Sequence, residues 1–316
     1  MAEKRKGRPL RPGSLIASPT PASPLLNLEY LEIGVAWLEE QGFRVRLTEH
    51  ANNGESFKAG PPELRAKDLN DAFADTHVDA ICPLAGGHSA PQVLPYLDYE
   101  LIAADPKPFV AFSELTVLHA ALVGKAGLVT FYGPMVSALG LFPEVTRQSW
   151  LRALTTAEPL GIVDPEGPPA RTIVPGGAEG ELVGGTLSLV DTLLGTPFEI
   201  DTRGKILLLE DVDEEPPRVD RFLTHLRNAG KLQECAGIWL GDFKRCVPRA
   251  QSPLWEGHNL TVEELIGELI APLGIPAMHG LRIGHGSEVM TVPLGVRARL
   301  DADAGRLEIL EPALAS

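Results

Sequence analysis

Pro108-Phe109-Val110-Ala111-Phe112-Ser113-Glu114-Leu115-Thr116 reads as a short apolar strand that breaks at a serine into a helix running from Glu114 to Val123. A serine at such a turn points its hydroxyl out of the backbone bend. The free N–H groups of the helix start are then aimed at whatever the hydroxyl attacks. Further along, the apolar run Ile206-Leu207-Leu208-Leu209 ends in Glu210, and Gly284-His285-Gly286 sets a histidine in a glycine-flanked turn. Serine, then acid, then histidine is one of the chain orders in which hydrolytic triads occur. Each of the three is weak alone.

Outward from Ser113, the first half alternates strand and helix patterns. Leu15 to Ala17 is a short strand running into Ser18-Pro19, and Leu28 to Gln41 an amphipathic helix stopped by Gly42. Phe43 to Leu47 alternates as a half-buried strand, Pro62 to Ala74 is a second helix, and Val78 to Pro83 a strand entering Gly86-Gly87. Val129 to Tyr132 is a fifth strand. Such alternation predicts a parallel sheet with helices on both faces, whose ligand crevice lies beyond the carboxyl ends of the strands. Both Gly86-Gly87 and Ser113 fall at such ends.

The character changes after about residue 147. Glu166-Gly167-Pro168-Pro169, Pro175-Gly176-Gly177 and Gly184-Gly185 punctuate short apolar pieces. The reading is a disordered tail over 1–12, an α/β domain over 13–147, a linker over 148–175, and a β-rich domain over 176–316. Strands are expected near Ile206 to Leu209, Gly237 to Leu240 and Val296 to Leu300, with helices over Arg218 to Asn228 and Val262 to Ile270.

The 316 residues carry a formal net charge of -14, with 44% hydrophobic and 22% charged. That balance is globular, and its sign argues against a nucleic-acid backbone or an anionic membrane surface as partner. Cys82, Cys235 and Cys246 form no C-x-x-C pair, so neither zinc nor a disulfide framework is indicated. No signal-peptide pattern and no run approaching the ~20 apolar residues of a membrane helix is present, so a cytoplasmic location is expected.

The remaining candidates carry two readings each. Gly86-Gly87-His88-Ser89 is either a tight turn or a loop whose N–H groups approach a ligand closely. Glu210 to Glu215 is acidic enough for a divalent cation, but it holds no histidine and reads as a solvated loop. Glu210 differs from its neighbours because a charge ending an apolar strand needs a partner. Asp211, facing the other way, is expected to tolerate loss of its charge. His119 lies on the inner face of the Ser113 helix and reads as structural. His50, His77, His88, His225, His258 and His279 are scattered.

Taken together these segments resemble the LD-carboxypeptidase family of serine peptidases, which includes the microcin self-immunity peptidases. The resemblance runs from about Gly13 to Leu310. It is carried by Ser18-Pro19, Gly86-Gly87, Leu94 to Tyr99, Asp105 to Phe109, Phe112 to Thr116 and Gly127 to Pro134. It continues through Gly184-Gly185-Thr186-Leu187, Gly195-Thr196-Pro197, Leu208 to Asp211, Arg218 to Arg221, Gly284-His285 and Val292 to Gly295. The resemblance implies Ser113 as nucleophile, Glu210 as acid and His285 as base. It also implies a flavodoxin-like N-terminal domain joined to a β-rich C-terminal domain with the active site between them, and a homodimer. Backbone N–H groups of Gly86, Gly87 and Glu114 are the candidate oxyanion donors. No metal or cofactor is expected, and the partner is a small peptide or peptidyl-nucleotide substrate.

Departures from the family pattern fall around the triad. Ala85-Gly86-Gly87-His88-Ser89 stands where murein-directed members carry Arg-Gly-Gly-Tyr-Gly, so a cation able to hold a substrate carboxylate is missing there. Glu114 replaces the commoner aspartate, Ala111 a glycine, Thr186 an asparagine and Tyr132 a histidine. Two substrates follow: a murein tetrapeptide that loses its terminal residue, or an aminoacyl-nucleotide toxin. A non-catalytic small-molecule binding protein is the alternative from another class, which labelling by an active-site serine reagent separates.

Overall fold

The computed structural model describes residues 4–51, 54, 56–248 and 260–316; His258 and the first three residues lie outside these. Five short parallel strands build the first sheet: β1 (Leu15–Ser18), β2 (Arg44–Leu47), β3 (Ala80–Ile81), β4 (Val110–Ala111) and β5 (Thr130–Tyr132). Hydrogen bonding runs β2-β1-β3 and β4-β5. An isolated parallel bridge between Ile81 and Phe109 joins the two groups. The resulting order, 2-1-3-4-5, is that of a flavodoxin-like sheet, and the carboxyl ends of its strands are the expected crevice. Ile16, Ile81, Phe109, Val110 and Phe131 are fully buried along it. Each such side chain contributes about 1.5–3 kcal/mol.

Helix α1 (Leu28–Glu40) is capped by the Asn27 side chain, which accepts from the Glu29 N–H. It buries Gly34, Trp37 and Leu38, and leaves Tyr30 exposed. Helix α2 (Pro62–Ala74) has Pro at its first position, where the missing N–H costs nothing. The segment after Ser113 is not one continuous α-helix. It begins as a 3-10 turn over Ser113–Leu115, becomes α3 (Thr116–Ala121), and ends in a π turn closed by Gly127 at φ 65°.

Two expectations about the chain's organisation are corrected. The tail expected over 1–12 is packed from Lys4 onward. Arg5 exchanges backbone hydrogen bonds with Gly127 and Val129 at 2.8 Å each, Leu10 donates to Leu154 O, and Leu10 is buried. One leucine among many basic residues was too thin a pattern to read. The segment expected as a linker holds most of helix α4 (Glu144–Thr155) and two strands, β6 (Gly161–Ile162) and β7 (Arg171–Val174). Thr146, Trp150, Ala153 and Leu154 form a helically spaced inner face of α4, with the Trp150 ring edge-on to Trp37 at 6.1 Å. The Gly and Pro clusters mark turns between short strands.

The second sheet has eight strands in the order β6-β14-β13-β8-β9-β10-β11-β7. Its centre is parallel: β8 (Gly177–Thr186), β9 (Ile206–Val212), β10 (Gly237–Lys244) and β11 (Ala277–His279). Helices over Pro216–Asn228 and Val262–Leu269 pack against Leu207, Leu209, Ile238 and Leu240. Strand β12 (Val292–Leu294) returns to the first sheet and pairs antiparallel with β5, while β13 (Arg297–Asp301) and β14 (Arg306–Ile309) complete the second. The late part of the chain thus contributes to both sheets. Among the described residues no helix is long and apolar enough to cross a membrane.

Candidate active site

Ser113 leaves β4 with φ 62°, in the left-handed region that costs a non-glycine residue about 1 kcal/mol or more. That bend turns its N–H toward the Tyr132 hydroxyl, 3.4 Å away. The Gly86 loop lies against the serine: a Cβ at Gly86 would sit 3.4 Å from Ser113 Cβ and 3.5 Å from its Oγ. Gly87 has φ 106°, and a Cβ there would come within 2.3 Å of Ser23 Oγ. Ser23 pins the loop, donating its N–H to Gly86 O and accepting from the His88 N–H.

Arg65 of α2 completes this support. The residue is 1% exposed, and its guanidinium donates to the carbonyls of Gly60, Pro21 and Ser89 and to Gln92 Oε1. Ser89 itself is held at φ 75°. Glu114, next to the serine, turns its carboxylate inward to accept from the Ala90 N–H at 2.9 Å. Burial raises the Glu114 carboxyl above its usual range, against hydrogen bonds from Ala90 and Ser89 and the charges of His88 and Arg65. Its side chain therefore fastens the serine turn to the glycine loop.

Glu210 ends the apolar part of β9, paired in register with Thr186 on β8. It is fully buried, and both carboxylate oxygens accept hydrogen bonds. Oε2 accepts from His285 Nδ1 at 2.7 Å, while Oε1 accepts from the Tyr132 hydroxyl at 2.6 Å and the Thr186 hydroxyl at 2.7 Å. A carboxylate that accepts at Oε2 places the proton on His285 Nδ1 and leaves Nε2 as the basic nitrogen. Gly284, at φ 103°, is required here, because a Cβ would fall 2.3 Å from Glu210 Oε2. The His285 ring packs on Phe112, the residue before the serine, with ring centres 5.0 Å apart. Burial opposes the imidazolium, but the charge and hydrogen bond of Glu210, helped by Asp211 and Asp213, outweigh it and hold His285 above its usual range.

The structure brings Ser113, Gly86, Glu210 and His285 into one neighbourhood, drawn from both sheets. Tyr132 joins them, touching both the Ser113 N–H and Glu210 Oε1. The Thr186 N–H donates to Thr116 Oγ1 of α3 at 3.0 Å, tying the second sheet to the serine helix. Tyr132 and Thr186 were read from sequence only as departures from a family pattern, and Arg65 was not singled out. An aromatic residue ending a buried strand looks like core, and an arginine within a helix looks like surface.

His119 is buried, bonded through its two ring nitrogens to Thr130 Oγ1 and Ala111 O, and burial pushes it down to about 4. Its role is structural. The acidic run after Glu210 disperses. Asp213 pairs with Arg245 and Glu214 with Arg218. Asp211, whose charge is expected to be dispensable, is buried. It accepts from the N–H groups of Ser188 and Val212 at 2.8 Å each, and burial pushes its carboxyl up to about 6. Among the described residues no three His, Cys, Asp or Glu side chains gather as metal ligands.

Models of the LD-carboxypeptidase N-terminal and C-terminal domains match residues 16–133 and 179–300. A probable murein peptide carboxypeptidase of Bacillus subtilis is 39% identical over 299 residues, 94% of this chain and 91% of that protein. Among solved structures, a MccF-like protein from Bacillus anthracis superposes with a TM-score of 0.86 at 27% identity, covering 96% of this chain and 99% of that one. A muramoyltetrapeptide carboxypeptidase from Oxalobacter formigenes gives 0.79 at 28% identity, covering 95% and 100%. With both domain models matched in order around this constellation, the chain belongs to the LD-carboxypeptidase family of peptidases.

Proposed function

We propose that this chain is a serine carboxypeptidase that removes the terminal residue of a murein tetrapeptide, with Ser113 as nucleophile, His285 as general base and acid, and Glu210 as the orienting carboxylate. The observation that carries the reading is the fully buried Glu210, bound to His285 Nδ1 at 2.7 Å with its second oxygen held by two hydroxyls. A carboxylate buried at the end of a strand needs partners, and the imidazole takes one of its two oxygens.

Ser113 Oγ attacks the scissile carbonyl while His285 Nε2 takes its proton. The same proton then goes to the leaving nitrogen, and water releases the acyl group by the reverse steps. Because the Ser113 N–H points to Tyr132, the oxyanion is left to the N–H of Glu114 and to the Gly86-Gly87 loop. Each such donor is worth about 3 kcal/mol of barrier in enzymes where one has been removed. The murein substrate rests on the nearer likeness to the Bacillus subtilis protein.

The test incubates the protein with a tetrapeptide ending in L-lysyl-D-alanine and, separately, with an aminoacyl sulfamoyl adenosine, followed by mass spectrometry. Release of D-alanine is expected, with loss of about 10⁶ in kcat for Ser113→Ala. Cleavage of the nucleotide alone would replace the murein reading by the toxin one. Residual activity of Ser113→Ala within about tenfold of wild type would remove the serine mechanism.

A further inference from the structure

A cavity of about 680 Å³ opens beside His285 at the carboxyl ends of β10 and β11. Arg171, Asp242, Lys244, His279, Gly286 and Ser287 contribute to its wall. Asp242 stands where the β9–β10 register breaks after Leu240, and its Oδ2 lies so near Gly286 that a Cβ there would be 2.2 Å away. Its surroundings are charged: Glu210 repels it, while Lys244 and His285 attract it.

Among the described residues, neither the Asp242 carboxylate nor the Lys244 ammonium has a hydrogen-bond or ion-pair partner, and Arg171 contacts only His279 Nδ1, at 3.4 Å. Arg245, which also borders the cavity, is committed to Asp213. One wall therefore offers uncommitted charges of both signs.

Position decides what such a wall is for. The group that protonates the leaving nitrogen must lie within hydrogen-bond reach of it. That group is His285, and the cavity begins at the next two residues. We propose that this cavity receives the residue released by the reaction, with Lys244 and Arg171 on its carboxylate and Asp242 on its amino group. The inference rests on the carboxypeptidase reading above.

The released residue carries both charges. Before cleavage it has a terminal carboxylate and an amide nitrogen. As the Ser113 Oγ–carbon bond forms and the carbon–nitrogen bond breaks, the proton taken by His285 passes to nitrogen and gives a free amine. A second proton, from water, makes it an ammonium ion facing Asp242. The cation lacking at Ala85 is supplied from the other side of the site.

The test compares one peptide as the free C-terminal acid and as the C-terminal amide. Wild type is expected to favour the acid, and Lys244→Ala with Arg171→Ala to reduce that preference by at least about tenfold, the worth of one charged hydrogen bond, through KM rather than kcat. Inhibition by added D-alanine is expected to weaken by about tenfold in Asp242→Asn. An acid preference unchanged in the double variant overturns the proposal. Should wild type cleave neither peptide, binding of both to Ser113→Ala by calorimetry separates the two claims. Tighter binding of the acid, lost with Lys244→Ala, keeps the cavity's role and removes the carboxypeptidase reading. Equal binding removes the cavity's role too.

Discussion

Glu210→Gln keeps the side chain's shape and removes its charge, and the structure fixes which way the amide must turn. Two hydroxyl donors, from Tyr132 and Thr186, converge on Oε1 at 2.6 and 2.7 Å. The glutamine carbonyl therefore takes that position, and its NH2 faces His285. An NH2 donating to Nδ1 drives the ring proton to Nε2, the atom that accepts from Ser113 in the proposed mechanism. The base is then in the wrong tautomer and has no carboxylate to stabilise its charged form. The equivalent change in another triad costs about 10⁴ in kcat, or about 5 kcal/mol of barrier. A loss of at least ~10² is expected, with KM nearly unchanged because Glu210 is buried away from substrate.

The pH profile adds a signed test of the same substitution. In the wild type, Glu210 holds His285 above its usual range against burial. Activity should therefore fall as pH drops through a point above ~6.5. Without that charge only the weaker pulls of Asp211 and Asp213 oppose burial, so the acid limb of kcat/KM should move down. A fall of less than about tenfold, with the acid limb in place, would refute Glu210 as the partner that orients His285.

Tyr132→Phe removes one of the two donors on Glu210 Oε1, worth about 1.5–3 kcal/mol or roughly 10–100-fold in kcat. The less solvated carboxylate becomes more basic, so the acid limb should move up, opposite to Glu210→Gln; unchanged kcat and profile would make Tyr132 mere packing. Gly284→Ala should cost at least ~10² in kcat, by displacing Glu210 Oε2. Gly274→Ala, at φ 67° with open space around it, should lower the melting temperature and leave kcat alone. Asp211→Asn loses one of two backbone acceptors and should destabilise by about 1–3 kcal/mol in denaturant titrations below pH ~4, where the wild-type carboxyl is neutral. Asp211 has its folded pKa at about 6, above its unfolded value, so the wild type should lose stability as pH rises from ~4 to ~6, and the variant should lack that slope.

Much of this was legible for physical reasons that belong to single residues. Glu210 declared itself because a carboxylate closing Ile206-Leu207-Leu208-Leu209 cannot stay buried without a partner. The five strands of the first sheet were each found, because a strand needs only a short apolar run between turn signals. What failed was anything whose meaning lies in long-range packing. Helix α4 has an inner face of Thr146, Trp150, Ala153 and Leu154, but its polar remainder and the Gly-Pro clusters that follow disguised it as linker. Leu10 is a lone apolar residue held by a backbone hydrogen bond to Leu154, far along the chain. Arg65 reads as a surface helix residue until four carbonyl or amide oxygens surround it. Asp211 looked dispensable because the N–H groups it serves belong to a strand end and a helix start that sequence does not place together.

The same distinction explains how the site is held. Ser113 and Gly86 come from the carboxyl ends of the first sheet, Glu210 from the second, and His285 from a loop between β11 and β12. Neither sheet alone contains the proposed nucleophile and its proposed base. Their relative placement is carried by a few contacts across the join. Tyr132 spans from the Ser113 N–H to Glu210, Thr116 accepts from Thr186, Phe112 packs on His285, and β12 pairs with β5. Gly185, at φ 141°, permits that approach, since a Cβ there would lie 2.6 Å from Thr116 Oγ1. A change at this join would therefore misplace His285 relative to Ser113 without touching either side chain or that of Glu210. An error of about 1 Å in such a placement is enough to cost a hundredfold in rate. The residues that sequence reading undervalued, Tyr132 and Thr186, are the ones that set that distance.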